Sequence, residues 1–333
     1  MKVGQPSDSV LVAAFGGPSG PADVEPFLAN VLRGRRVLPQ RWAEVVAKYM
    51  RFGGISPLTD ITRRQAALLQ ERLAAMGRPM PVVVGMRHWH PFLADSLRQM
   101  SEAGLRRPIV FIAAPHRSPS SDAHYQEAIR NAQQQLVDAG RPSMDVAYVS
   151  SWFDHPLFIE TIICHIREAI AKLPIELQSS ACIVFTAHSL PIAEARSSSY
   201  VEQLMTTAQL VMDRLAIGCL DSCDDEKNCS QNGLRNGPRE WALVYQSRSG
   251  SPEEPWLEPD ISDYLRAQAK AIHAAVIVPI GFCCDHIEVL YDLDVQIGDL
   301  CQLLGIPMVR AATPGDNPRF IDMMADVVLR AGE

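Results

Sequence analysis

The chain has 333 residues, which is long enough for two domains that each bury a core. Hydrophobic residues make up 47% and charged residues 21%, a composition typical of a globular protein and not of a disordered or fibrous one. The formal net charge of −7 argues against a broad basic surface for nucleic acid or anionic lipid. Any anionic ligand must therefore meet a local basic patch.

The sequence shows no segment that would cross a membrane. Its longest apolar stretch, 274–284, is interrupted by Pro279 and Gly281 and is shorter than the roughly 20 residues that a bilayer requires. The early apolar run 10–15 is too short for the core of a signal peptide. We therefore expect a cytoplasmic protein, whose eight cysteines serve as buried thiols or metal ligands and not as disulfides.

Short β-branched runs alternate along the chain with longer stretches of helical spacing, which is the pattern of βα units. The predicted strands are 10–15, 82–84, 109–113, 145–149, 182–186, 243–246, 275–280 and 308–311. The clearest predicted helices are 58–76, 92–103, 120–139, 157–172 and 318–331. This pattern predicts an α/β fold with two Rossmann-like domains, each a four-stranded parallel sheet flanked by helices.

The boundary between the two domains is predicted near residues 150 to 180. We assign 1–150 to the first domain and 151–317 to the second, with a cysteine-containing insertion at 218–240. The last helix, 318–331, is expected to pack back onto the first domain. Ligands of open α/β sheets bind beyond the carboxyl ends of the strands, so the residues that follow each strand are the candidates for chemistry.

The first half carries a basic group of residues that could bind carboxylates. Arg33 and Arg35 lie in a short basic run, and Lys48 lies just before the glycine turn Gly53-Gly54. His88 follows a predicted strand. The alternative is that the arginines are solvated surface residues and that the glycines only form a turn.

The second half places a histidine and two carboxylates after predicted strands. His188 can act as a base or a metal ligand, although a lone histidine is more often a hydrogen-bonded structural residue. Glu288 and Asp292 are four residues apart, which puts both carboxylates on one face of a helix and makes a track for protons or a cation. The alternative is that they stabilise the helix N-terminus through the helix dipole.

Three cysteines, Cys219, Cys223 and Cys229, lie in a polar segment that has no apolar face to bury them. Their spacing supplies three of the four thiolates that zinc or an iron–sulfur cluster requires. The candidates for the fourth ligand are Cys164, Cys182, Cys283, Cys284 and Cys301. The cysteine segment precedes the strand 243–246, so it lies at the amino-terminal edge of the second sheet. We favour Cys182, because the strand 182–186 starts at the same edge.

Several motifs together resemble the ferrochelatase family, which inserts Fe²⁺ into porphyrins in haem biosynthesis. The most specific are Phe15-Gly16-Gly17-Pro18, Thr186-Ala187-His188-Ser189-Leu190-Pro191, Gln246-Ser247-Arg248-Ser249-Gly250 and Asp285-His286-Ile287-Glu288-Val289-Leu290-Tyr291-Asp292. The resemblance implies a class II chelatase-like fold. The first and third motifs are most similar to the actinobacterial type, which implies coproporphyrin III as substrate, with protoporphyrin IX as the alternative.

The resemblance also implies roles for individual residues. His188 matches the family's active-site histidine and Glu288 the carboxylate opposite it, so both are expected to contact the Fe²⁺ substrate. Asp292 continues a line of acidic residues, the acidic line, that starts at Glu288. Phe15 stands where several coproporphyrin enzymes have tyrosine, and it cannot ligate iron. The expected substrate-binding residues are Phe15, Arg33, Arg35, Lys48, Ser56 and His88.

Some ferrochelatases carry a [2Fe–2S] cluster on four cysteines, which implies one here on Cys182, Cys219, Cys223 and Cys229, with zinc as the runner-up. The expected partners are a porphyrin, Fe²⁺ and a downstream enzyme of haem synthesis. Two other functions fit parts of the sequence: a chelatase that inserts Co²⁺ or Ni²⁺ into a sirohydrochlorin-type ring, and a haem- or metal-binding regulatory module. A binding module needs an axial ligand such as His188, but it has no need of Glu288 and Asp292.

Overall fold

The computed structural model describes residues 6–34, 37–217, 239–250 and 253–332. The chain divides into two compact units. Unit 1 contains Met1–Trp152, Cys284–Ile287 and Gly315–Glu333, and unit 2 contains Phe153–Cys283 and Glu288–Pro314. Each unit is built on one four-stranded parallel sheet flanked by helices, which confirms the predicted fold class.

The sheet of unit 1 has the strand order β2-β1-β3-β4. Its strands are β1 (Ser9–Ala14), β2 (Val82–Met86), β3 (Pro108–Ile112) and β4 (Ala147–Tyr148). Its helices are α1 (Val24–Val31), α2 (Pro39–Met50), α3 (Leu58–Ala75), α4 (Leu93–Glu102), α5 (His124–Asp138) and, from the end of the chain, α12 (Pro318–Ala331). A short 3₁₀ turn, Pro21–Asp23, precedes α1, and a π-helix, Pro119–Ala123, precedes α5.

The sheet of unit 2 has the strand order β6-β5-β7-β8. Its strands are β5 (Cys182–His188), β6 (Trp241–Gln246), β7 (Ala275–Val278) and β8 (Met308–Arg310). Its helices are α6 (Pro156–Ala171), α7 (Ile175–Gln178), α8 (Ile192–Arg196), α9 (Tyr200–Ile217), α10 (Ile261–Ala267) and α11 (Gly298–Leu304), with a π-helix at Val289–Ile297.

The central strands are buried on both faces, as expected of parallel sheets covered by helices. Every residue of β1 is buried, and so is every residue of β7. Helix α12 starts where the side chain of Asn317 accepts a hydrogen bond from the Arg319 amide at 3.0 Å, and Pro318 occupies its first turn. Its apolar face is buried in unit 1, where α12 packs against α3.

All eight predicted strands are present, but some predicted helices differ. The stretch predicted as one helix from 120 to 139 is a π-helix followed by α5, because Ser118 caps a separate first turn and Ser121 donates its amide to the Ser118 hydroxyl. Helix α2 was not predicted from the sequence, and none of its residues is fully buried. Within the described residues, no helix is both long and apolar enough to cross a membrane.

Candidate active site

Two glycine motifs of unit 1 pack against each other beyond the carboxyl end of β1. A Cβ atom on Gly17 would lie 2.6 Å from the Cβ of Ser56, and one on Gly54, whose φ is +71°, would lie 2.5 Å from the Cα of Pro21. The Ser56 amide donates a hydrogen bond to the Pro18 carbonyl at 2.9 Å. Gly17 and Gly54 are therefore glycines because the two loops approach too closely there for side chains, and Ser56 is buried.

Three of the predicted substrate-binding residues lie together in unit 1. The rings of Phe15 and His88 are 4.5 Å apart between centroids, and the His88 amide donates to the Phe15 carbonyl at 2.9 Å. Asn30 donates its side-chain amide to the His88 carbonyl, and Arg33 donates to the Asn30 side-chain oxygen at 2.7 Å. Phe15 is 38% exposed, so its ring presents an apolar surface that a flat aromatic ligand could cover.

Lys48 lies in the last turn of α2, which packs on α1 through the aromatic contact of Tyr49 with Phe27 at 5.6 Å between ring centroids. The predicted binding residue Arg35 lies outside the described residues. The structure thus brings Phe15, His88 and Arg33 together in unit 1.

In unit 2, His188 is the last residue of β5, and its ring orientation is set by its neighbour. The Nδ1 atom lies 2.6 Å from the Ser189 carbonyl oxygen. A carbonyl can only accept a hydrogen bond, so Nδ1 carries the proton and Nε2 of the neutral ring carries the lone pair. Tyr200 donates its hydroxyl to the His188 carbonyl at 3.0 Å, and burial raises the pKa of Tyr200 far above its usual range, which keeps the hydroxyl a donor.

The lone-pair nitrogen of His188 faces a carboxylate. His188 Nε2 lies 3.8 Å from Glu288 Oε2, and the two side chains are 26% and 43% exposed. This distance is too long for a hydrogen bond and short enough for an ion pair once the ring is protonated. A proton acceptor and a negative charge are therefore adjacent and reachable from solvent.

Glu288 immediately precedes the π-helix Val289–Ile297, and Asp292 lies in its first turn. The sequence pattern indicated an ordinary helix here, whereas the backbone forms a π-helix, whose i→i+5 hydrogen bonds make a wider turn. Residues four apart still share one face of this wider turn, so Glu288 and Asp292 lie on the same side of the helix. Asp292 is buried, and its Oδ2 accepts a hydrogen bond from the hydroxyl of Ser247.

Sequence reasoning did not single out Ser247 as a functional residue. It follows β6 directly and lies within the Gln-Ser-Arg-Ser-Gly motif, so its position after a strand was the signal that could have identified it. The other acid of the π-helix, Asp294, is held by Arg310 in two hydrogen bonds of 2.5 and 3.0 Å. Asp294 therefore has a structural partner and is not a candidate for the acidic line.

The ferrochelatase family model matches residues 7–331 of this sequence. The chain belongs to the ferrochelatase family. It is 38% identical over 325 residues to the coproporphyrin III ferrochelatase of Mycolicibacterium smegmatis, covering 96% of this chain and 88% of that protein. The coproporphyrin III ferrochelatase of Streptomyces coelicolor is also 38% identical, with 98% and 86% covered, and a ferrochelatase of Rhodopirellula baltica is 39% identical, with 97% and 86% covered.

A solved structure of SirB from Bacillus subtilis with Fe³⁺ has the same fold as this member of the ferrochelatase family. Its TM-score is 0.57 at 10% identity, with 98% of this chain and 96% of that chain covered. The sirohydrochlorin chelatase SirB from the subspecies spizizenii, in complex with cobalt, gives 0.54 at 9% identity. At such low identity the likeness supports the two-sheet architecture alone.

Of the four predicted cluster ligands, Cys219, Cys223 and Cys229 lie outside the described residues. Cys182 begins β5 and is buried, with its Sγ 4.0 Å from the Tyr264 hydroxyl. Burial raises the pKa of the Cys182 thiol, against the opposing effect of the Tyr264 contact. Among the residues that the structure describes, no group of three or more His, Cys, Asp or Glu side chains could hold a metal ion.

Proposed function

We propose that this protein inserts Fe²⁺ into coproporphyrin III, with His188, Glu288 and Asp292 as its catalytic groups. The observation that carries the proposal is the 3.8 Å approach of the His188 Nε2 lone pair to the Glu288 carboxylate. It is supported by a match to the ferrochelatase family over nearly the whole chain, and by relatives that are named coproporphyrin III ferrochelatase.

Metal insertion requires the loss of two pyrrole N–H protons as the ring nitrogens bind iron. His188 Nε2 accepts a pyrrole proton and becomes an imidazolium, whose charge the Glu288 carboxylate stabilises. Because Nδ1 already donates to the Ser189 carbonyl, the ring does not need to change tautomer before it accepts the proton. Glu288 and Asp292 then carry this proton away from the His188 imidazolium, so that Nε2 can accept the second pyrrole proton, or they lower the energy of the incoming Fe²⁺.

The choice of porphyrin depends on carboxylate recognition. Coproporphyrin III carries four propionates and protoporphyrin IX carries two, so the former needs more basic and hydroxyl partners. We assign propionate contacts to Arg33, Arg35, Lys48 and Ser56, and contacts with the porphyrin ring to Phe15 and His88. Because phenylalanine has no ligand atom, iron contacts fall to His188 and Glu288.

The proposal is tested under anaerobic conditions by adding Fe²⁺ to wild-type protein with coproporphyrin III or protoporphyrin IX and following the Soret band. Coproporphyrin should be metalated faster. The variant Lys48→Met should lose activity with coproporphyrin by about tenfold, the value of one charge-assisted hydrogen bond, and the surface variant Lys172→Met should not. A wild type that prefers protoporphyrin, or metalates neither ring, overturns the proposal.

We further propose a [2Fe–2S] cluster on Cys182, Cys219, Cys223 and Cys229, with zinc as the competing occupant. The position of Cys182 fits a ligand, because the Ile183 amide that follows it donates to the carbonyl of Glu240 at 3.0 Å, and Glu240 is the last residue of the insertion 218–240 that carries the three cysteines. Four cysteine thiolates would hold a cluster of this kind, which would supply a site that accepts one electron. As one of these ligands, Cys182 would bind as a thiolate and give up the proton that burial favours on its thiol.

The cluster is tested on anaerobically purified protein by visible absorbance, acid-labile sulfide and zinc content. The variants Cys223→Ser and Cys182→Ser should lose the absorbance, whereas Cys164→Ser, which changes a buried thiol of α6, should keep it. If the purified protein contains no acid-labile sulfide and one bound zinc ion, the cluster proposal is wrong and the four cysteines form a zinc site.

We propose a cytoplasmic location, since the described cysteines are free thiols and the composition is that of an ordinary globular protein. We also propose that the domains are 1–150, with the helix 318–331 packed on it, and 151–317, with the insertion 218–240. Fractionation of cells followed by immunodetection tests the location, and limited proteolysis tests the domain limits.

A further inference from the structure

Ser247 has a backbone conformation that is unusual for its residue type. Its φ is +61°, and it is the one non-glycine residue in the described part of the chain with a positive φ. A side chain in this left-handed region is strained, whereas glycine adopts the same conformation freely. The position holds a serine despite this strain, so the hydroxyl is the feature to explain.

The hydroxyl of Ser247 belongs to a line of hydrogen bonds that runs from Gln246 to Asp292. Gln246 donates from Nε2 to Ser247 Oγ at 3.3 Å, and Ser247 donates its single proton to Asp292 Oδ2. The direction follows from chemistry, because an ionised carboxylate can only accept. The Gln246 amide must also present its nitrogen to Ser247, since the serine proton is already committed to Asp292.

Stability alone does not account for Gln246. Its side chain is almost fully buried at the end of β6, and its Oε1 atom has no hydrogen-bond partner in the described part of the chain. A buried amide with an unmet acceptor lowers stability. What Gln246 provides in return is the bond that orients the Ser247 hydroxyl toward Asp292.

We propose that Ser247, held by Gln246, is a positioning residue for iron insertion that fixes the Asp292 carboxylate next to Glu288 on the face of the π-helix. This inference rests on the proposed function. Asp292 is four residues from Glu288, the residue whose carboxylate faces His188. A fixed orientation of the Asp292 side chain therefore keeps a second carboxylate on the same face of the helix as Glu288. Without the hydroxyl, Asp292 Oδ2 loses this hydrogen bond, the orientation of the carboxylate is less well defined, and the site loses affinity for the cation.

The first experiment compares Ser247→Gly and Ser247→Ala with the wild type, using Ser249→Ala on the same loop as control. Both Ser247 variants should lower kcat/KM for Fe²⁺ by about tenfold, as expected for a lost hydrogen bond to a charged group, with KM for the porphyrin unchanged. Thermal stability should instead follow the backbone, so that Ser247→Gly unfolds at a higher temperature than Ser247→Ala. If Ser247→Gly keeps wild-type kinetics, the serine only shapes the turn and the inference is overturned.

The second experiment places Ser247→Gly in an Asp292→Asn background and measures single-turnover insertion. If Ser247 acts through Asp292, the substitution should have less than about a twofold further effect in that background. A full, multiplicative loss would show that Ser247 acts by another route and would overturn the inference. A wild type that metalates neither porphyrin overturns both this inference and the proposed function, whereas an active wild type with an unaffected Ser247→Gly variant overturns this inference alone.

Discussion

The most informative substitution in the proposed mechanism is Glu288→Gln. It preserves the shape of the side chain and removes the negative charge that lies 3.8 Å from His188 Nε2. When His188 accepts a pyrrole proton, the lost attraction amounts to about 1 kcal/mol at the dielectric constant of water and about 4 kcal/mol at an effective value of 20. The Glu288 side chain is 43% exposed, which places the effect in the lower part of this interval, at about 1 to 2 kcal/mol.

This energy corresponds to a loss of roughly five- to thirtyfold in the rate of the insertion step. The assay is single-turnover metalation of coproporphyrin III by Fe²⁺ under anaerobic conditions, with porphyrin binding measured separately by fluorescence quenching. Porphyrin affinity should be nearly unchanged, because the charge acts on the protonated histidine. The matched control is Glu176→Gln on the exposed helix α7, which should insert iron at the wild-type rate.

A Glu288→Gln variant with the full insertion rate would refute the reasoning, since the carboxylate would then have no part in stabilising the protonated ring. A loss confined to porphyrin binding would also refute it. The effect should weaken as salt is added, because part of the pair is exposed to solvent.

Three further predictions concern unit 1. Gly17→Ala forces a Cβ atom to within 2.6 Å of Ser56 and should destabilise the protein by about 2 kcal/mol in urea unfolding, whereas Gly20→Ala, with nothing within 4 Å of its Cβ, should leave stability unchanged; equal stabilities would contradict the packing of the two loops. Burial lowers the pKa of His116 from 6.5 to about 3, so below about pH 6.5 the unfolded chain takes up a proton that the folded chain does not. The free energy of unfolding should therefore be lower by about 2 kcal/mol at about pH 5 than at about pH 7.5, and His116→Gln should reduce this pH dependence. An unchanged dependence of the unfolding free energy on pH in the variant would contradict the assignment. Burial and the nearby charge of Asp285 raise the pKa of Cys284 to about 12, so this thiol should resist iodoacetamide in the native protein at about pH 8. Labelling of Cys284 is measured by peptide mass analysis, and a rate equal to that of a small free thiol would contradict the prediction.

Much of the architecture could be read from hydrophobic patterns. The runs that became β1 and β7 are continuous and apolar because both faces of the parallel sheets are covered, and this is visible in the sequence without any contact information. Helix α2 was missed, although Trp42, Val45, Val46 and Tyr49 recur at helical spacing and pack against α1. Its apolar face is only partly buried, so its polar and basic residues dominated the pattern.

The candidate site was predictable to the level of residue type but not of geometry. His188 and Glu288 lie 100 positions apart in the sequence. Both were predicted as site residues because ligands of open α/β sheets bind beyond the carboxyl ends of the strands. Their roles stay predictions, as do those of the binding residues. No sequence pattern could give the tautomer of His188, which depends on one carbonyl at 2.6 Å, or the left-handed backbone of Ser247. The π-helix was also not visible, since residues four apart share a face in either kind of helix.

The central claim, insertion of iron into coproporphyrin III with His188 as the proton acceptor, has one direct test. Stoichiometric wild-type protein and the His188→Ala variant are each mixed anaerobically with Fe²⁺ and coproporphyrin III, and the porphyrin mass is followed over time. The account predicts that the wild type yields a product that has gained one iron and lost two protons, and that the variant does not exceed the rate without protein. Equal rates for the two proteins, or no product with the wild type, would contradict it.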